Sequence, residues 1–245
     1  MPTQKISLLV AFALALSANL LPQPRDDAKK EFLQQQVAEL KRSIAANRAS
    51  LQKYQWTETT EVDVKGDTKK TEQKLCQYGP DGKVQKTPLG PPPEPPKARR
   101  GVRGRIIAKK ADEMKDYMER LKSLIGHYVP PNHEKLQEVF QTGKANLNAS
   151  SGGVASLVFT DYYKPGDKVT FAFDTAAKKI QSFTVHTYLD DPKTDIVSLS
   201  ANWGSLADGT NYVSQADLVS ESKHIEIKTA NSKYQKIQSL EPEQR

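Results

Sequence analysis

The chain has 245 residues, of which 37% are hydrophobic and 27% charged, and its mean hydropathy is −0.65. So polar a composition excludes the thick, continuously apolar centre of a doubly wound fold and favours a sheet with one wet face. Four histidines and one cysteine leave little material for metal or thiol chemistry, and Cys76 has no partner for an internal disulfide. The net charge of +7 equals the seven cations between Lys97 and Lys110, so the rest of the chain is balanced and is not a general nucleic-acid coat.

Lys5 precedes an apolar run from Ile6 to Leu16, followed by the small residues Ser17 and Ala18. That order reads as a secretory signal peptide over residues 1–18, cut after Ser17 or Ala18. The run is shorter than the ~20 apolar residues that span a bilayer. No cysteine follows the cut to carry a lipid anchor. The expectation is an exported bacterial protein located in the periplasm, neither membrane-spanning nor a lipoprotein. Residues 19–245 are expected to form a single β-rich domain.

From about Asp26 to Tyr54, Leu33, Val37, Leu40, Ile44 and Leu51 recur at helical spacing and predict an amphipathic helix. The period then changes. Residues 56–65, 69–78 and 83–89 favour strand and are separated by Gly66-Asp67 and Pro80-Asp81-Gly82, which predicts a three-stranded meander. Residues 88–104 form a proline-rich and then basic loop. A second helix follows, with Ile107, Ala111, Met114, Met118, Leu121 and Ile125 as its apolar stripe, stopped by Gly126 and Pro130-Pro131. A shorter helix spans Glu134 to about Thr142, and Asn146 to Gly153 reads as a small-residue loop.

From Val154 onward every segment reads as antiparallel strand: 154–162, 169–174, 180–189, 196–203, 212–221, 224–230 and 233–239. The fold class is therefore α+β, mainly antiparallel β. It is expected to be an unclosed half-barrel of about ten strands covered by amphipathic helices.

Tyr163-Lys164-Pro165-Gly166-Asp167, the strand Val169 to Asp174 with its return Ile180 to Leu189, and the stretch Trp203 to Tyr212 resemble the corresponding segments of outer-membrane lipoprotein-sorting proteins of the LolA/LolB-like lipoprotein-carrier superfamily. The order of elements over residues 27–240 is similar as well. The resemblance implies an incomplete barrel whose helices lie across an apolar concavity that receives acyl chains in the periplasm. The ligand so implied is a lipid or an acylated protein. No residue of the carriers' lid has a match in this chain, so no site residue is transferred.

A half-barrel cannot hide its inner face by closing, so helices must cover it. The expected lining of the space between is Phe171, Phe173, Phe183, Val185, Leu199 and Trp203 from the strands and Met114, Met118 and Leu121 from the helix. These same residues also suit a filled core, which makes the alternative a non-catalytic envelope interaction protein without a ligand. Arg99, Arg100, Arg103 and Arg105 are the candidates for contact with anionic headgroups at a membrane surface. The absence of interleaved aromatics argues against nucleic acid. No histidine pair has metal-ligand spacing, and neither a nucleophile elbow nor a phosphate loop is present. The chain is expected to be a monomer, not an enzyme, and to need no cofactor or metal.

Overall fold

Among the described residues ten strands pair into one sheet in which all neighbours run antiparallel. The computed structural model describes residues 42–91, 102–149 and 153–237 except 44 and 178, together with residues 35 and 38, which are helical. The expected signal peptide lies outside these residues, as does most of the expected first helix. The chain divides at residue 39 into two units, and the sheet belongs to the one running from Leu40 to Arg245.

In chain order the elements are helix α1 (residues 45–51), strands β1 (Tyr54–Val64), β2 (Asp67–Tyr78) and β3 (Val84–Pro88), and helices α2 (Val102–Gly126) and α3 (His133–Gln141). Then come β4 (Ala145–Ala149), β5 (Val154–Thr160), β6 (Lys168–Asp174), β7 (Lys179–Tyr188), β8 (Ile196–Ser205), β9 (Asn211–Ser220) and β10 (Ile225–Lys236). The spatial order is β3-β2-β1-β10-β9-β8-β7-β6-β5-β4. Sequential hairpins account for every pairing except β1 with β10, which joins the first meander to the second. The sheet is not closed: β3 and β4 are its two edges, and the segment carrying α2 and α3 connects one edge to the other.

Two details differ from the sequence reading. Residues 145–149, expected mostly as loop, form the edge strand β4, with Ala145 opposite Phe159 and Leu147 opposite Leu157. Small residues suffice there because an edge strand has only one neighbour to satisfy. The last two expected strands are one strand, β10. Lys233 takes a φ of 55° at a register irregularity opposite Trp56, which bends the strand without ending it.

The cross-strand register carries one row of side chains across the sheet: Ala145, Phe159, Val169, Val185, Leu199, Leu218, Ile227, Val62 and Lys70. Side chains directly opposite each other share a face, so this row marks the inner surface. It is buried from β4 to β8, half-buried on β9, β10 and β1, and exposed at Lys70. The adjacent row runs Leu147, Leu157, Phe171, Phe183, Ala201, Ala216, Thr229, Thr60 and Glu72, and loses its apolar character over the same strands. The core therefore sits under β5–β8. On β5 and β7 burial alternates residue by residue over most of the strand, whereas from Tyr212 to Val219 on β9 no residue is fully buried.

Candidate functional site

Polar anchors fix α2 to one end of the sheet. Tyr128 is fully buried just past the end of α2 and donates its hydroxyl to Asp167 Oδ2 at 2.6 Å, with Thr187 Oγ1 at 2.8 Å. Asp167, 1% exposed, also accepts the backbone N–H groups of Tyr162, Tyr163 and Lys164 at 2.6–2.9 Å. Its carboxylate thus closes the β5–β6 turn and ties the end of α2 to it. Burial, and then the bond to Asp167, push the Tyr128 hydroxyl well above the ordinary tyrosine value, so it stays a donor. Three turns earlier, Tyr117 donates to Asp195 Oδ1 at 3.0 Å and meets the Ser220 hydroxyl at 2.5 Å, at the β7–β8 and β9–β10 turns. Arg120 pairs with Asp190 beside it. Lys164 adds a further tie, donating to the carbonyls of Tyr188 and Leu189 at 2.8 and 2.7 Å.

These anchors orient α2. Its buried stripe is Tyr117, Leu121, Leu124 and Tyr128, at spacings of four, three and four. Leu121 lies on it as expected, while Met114 and Met118 are half-buried at its margin and Ile107 is exposed. The stripe expected from the sequence consists of aliphatic residues and methionine; Tyr117 and Tyr128, at helical spacing from Leu121 and Leu124, are the signal that completes it. α3 starts at Asn132, whose side chain caps Lys135 N at 3.1 Å, and it buries Leu136, Val139 and Phe140.

The opposite end of the sheet is closed differently. Asn47 on α1 exchanges two hydrogen bonds with the backbone of Asn211, and Arg48 donates to the carbonyl of Gly82. Beneath this end Trp56 stacks on Tyr234 at 5.5 Å and lies 5.6 Å from Tyr78, while Tyr212 and Tyr54 contact Tyr234 at 4.4 and 6.3 Å. The bend at Lys233 brings Tyr234 to the same side as Trp56. Cys76 sits opposite Trp56 with no exposure, and burial pushes its thiol up. Glu58, also buried, is held by Lys86 at 2.6 and 2.7 Å.

Of the residues expected to line a concavity, Phe171, Phe183, Val185, Leu199 and Leu121 are buried. Phe171 and Phe183 face each other across β6 and β7 with ring centroids 5.0 Å apart. Phe173, Trp203, Met114 and Met118 are half-buried. Leu218, Ile227 and Val62, on the same face of the sheet, are half-buried as well. Arg105 is exposed near the start of α2. Arg99, Arg100 and the side chain of Arg103 lie outside the described residues. Of the four histidines, His127 stacks on Tyr163 at 3.9 Å and His186 lies beside Ser198. Among the described residues no group of three or more His, Cys, Asp or Glu is placed to hold a metal ion, and no helix is long and apolar enough to cross a membrane.

No protein-family model matches the chain, and no curated protein matches it. Among solved structures it is similar to a DUF1329 family protein from Desulfovibrio piger ATCC 29098, at 7% identity and a TM-score of 0.32, covering 84% of this chain and 94% of that one.

Proposed function

We propose that this protein binds acyl chains of lipids or lipoproteins in the periplasm and carries them without making or breaking a bond. The supporting observation is the apolar row on the inner face. It is core as far as Leu199, then continues through Leu218, Ile227 and Val62, where it is only half-buried. An acyl chain laid there extends the core by one more layer. Each methylene withdrawn from water contributes about 0.8 kcal/mol, so a chain of ordinary length offsets the cost of association. The likeness of residues 163–167 and 203–212 to lipoprotein-sorting proteins favours the same reading, as does the signal-like N-terminus. Under this proposal the chain needs no cofactor or metal and works as a monomer.

Native mass spectrometry of protein purified from cell envelope is expected to show co-purifying acyl lipid. Leu218→Ser with Ile227→Ser is expected to remove that lipid while the protein stays folded. Repeated recovery of the bare polypeptide, together with no binding of a fluorescent fatty acid, would refute the proposal.

A second reading is favoured by the tight burial of Phe171, Phe183, Val185 and Leu199: a non-catalytic envelope interaction protein with a filled core. It would dock a partner through the exposed β2–β3 hairpin, all of β3 being exposed. Pull-down of a partner from envelope extract that is lost on altering residues 56–89, with no lipid bound, would select it.

A further inference from the structure

α2 is longer than the surface it packs on. At 1.5 Å per residue its 25 residues extend about 37 Å, yet full burial begins only at Tyr117. Every residue from Arg105 to Glu113 is exposed. Ala108, Lys109, Lys110, Ala111 and Glu113 are strong helix formers, and the anchored second half supplies the nucleus from which this half propagates without packing of its own. Its apolar residues are nevertheless not scattered. Counting back from Tyr117 along the buried stripe leads to Met114, then Lys110, then Ile107 and Ile106. The stripe that is core in the second half of the helix thus reaches solvent in the first, with Ile106 53% and Ile107 47% exposed. Lys110 lies between the two isoleucines on the helical wheel, and Arg105 and Lys109 flank Ile106. Lys109 and Glu113 form only a loose pair at 3.9 Å, and no acid occurs from residue 105 to 111.

We propose that residues 105–114 of α2 are a membrane-docking helix that lies in the surface of an anionic bilayer, with Ile106 and Ile107 entering the interface and Arg105, Lys109 and Lys110 meeting the headgroups. Adjacent isoleucines with a cationic rim and a low overall hydropathy are the make-up of helices that lie on a bilayer and do not cross it. Lysine stems spread along the apolar surface while their ammonium groups reach the phosphates. A second copy of the chain fits less well, because pairing this stripe with itself brings the same cations together. The proposal goes beyond acyl-chain binding and does not need it, so the two fail separately.

The test is co-sedimentation of the purified protein with vesicles of phosphatidylcholine alone and of phosphatidylcholine with phosphatidylglycerol. Binding is expected only with phosphatidylglycerol and is expected to weaken as salt is raised. Lys109→Gln with Lys110→Gln is expected to weaken it about fivefold for each cation removed. Ile106→Asp with Ile107→Asp is expected to abolish it, with circular dichroism and melting unchanged because both side chains are exposed. Leu218→Ser with Ile227→Ser is expected to leave it intact. The proposal is overturned if the protein ignores phosphatidylglycerol vesicles, if the isoleucine variant binds them as the parent does, or if light scattering shows the isoleucines holding a dimer or an acidic protein partner in place of lipid.

Discussion

Strands β5–β8 and strands β9, β10 and β1 belong to one sheet and share one register, yet they solve the problem of their inner face differently. In the first group Phe159, Val169, Val185 and Leu199 are buried in succession, with Tyr128 of the α2 terminus and the side chains of α3 packed at the same end. In the second the row continues as Leu218, Ile227 and Val62 without full burial, and the next row turns to Ala216, Thr229 and Thr60. Backbone pairing alone therefore does not make a core. Alternating burial runs along most of β5 and β7, whereas on β9 full burial is confined to the ends, at Asn211 and at Ser220, where Tyr117 of α2 is anchored.

The largest effect that can break this comparison is at Phe171. Phe171→Ala removes a buried ring and is expected to cost about 3–5 kcal/mol in urea unfolding. Ile227→Ala, on the same face of the sheet, is expected to cost about 1 kcal/mol because its side chain is already half in water. Equal costs would show that the second region is as well packed as the first. Next comes the anchor at Asp167. Asp167→Ala leaves the buried Tyr128 hydroxyl and three turn N–H groups short of an acceptor and is expected to cost about 3 kcal/mol, read by the same unfolding experiment. Tyr117→Phe removes one donor at the other anchor and is expected to cost about 1 kcal/mol.

The smallest expected effect is at the α1 end and depends on pH. The bond donated by Tyr54, then the backbone N–H of Thr210, hold the Asp208 carboxyl below the usual carboxylate range. A carboxyl depressed in the folded state stabilises it above the unfolded value, and that contribution is lost as pH falls toward the folded value. The N–H of Gly166 acts in the same sense on Asp161. Asp208→Asn is expected to flatten the acid limb of the unfolding midpoint plotted against pH. An unchanged limb would show that Asp208 is not coupled to folding.

Much of this architecture was legible in the residues. Alternation such as Val169-Thr170-Phe171-Ala172-Phe173 and the breaks at Gly66, Gly82 and Gly166 located the hairpins, because period and turn chemistry are local properties. The order in space was not local: the pairing of β1 with β10, which joins residues 54–64 to residues 225–236, leaves no mark in either segment. β4 is not legible in the sequence because Asn146, Asn148 and Ala149 have low strand propensity and are held by one neighbouring strand. Lys233 read as a break because a positive φ at a lysine has no compositional signature. For the candidate site, the face was legible and its state was not. Phe171 and Leu199 share a face by parity, but whether that face is filled depends on where Tyr117 and Tyr128 find Asp195 and Asp167, and such partners are distant in sequence.

One apolar row is core on β5–β8, and the proposed function makes its continuation on β9, β10 and β1 a binding surface. A photoreactive fatty acid, cross-linked to the protein and mapped by peptide mass spectrometry, tests it most directly. Adducts are expected at or beside Leu218, Ile227 and Val62. Adducts confined to the neighbourhood of Phe171, Phe183 and Leu199, or none at all, would contradict it.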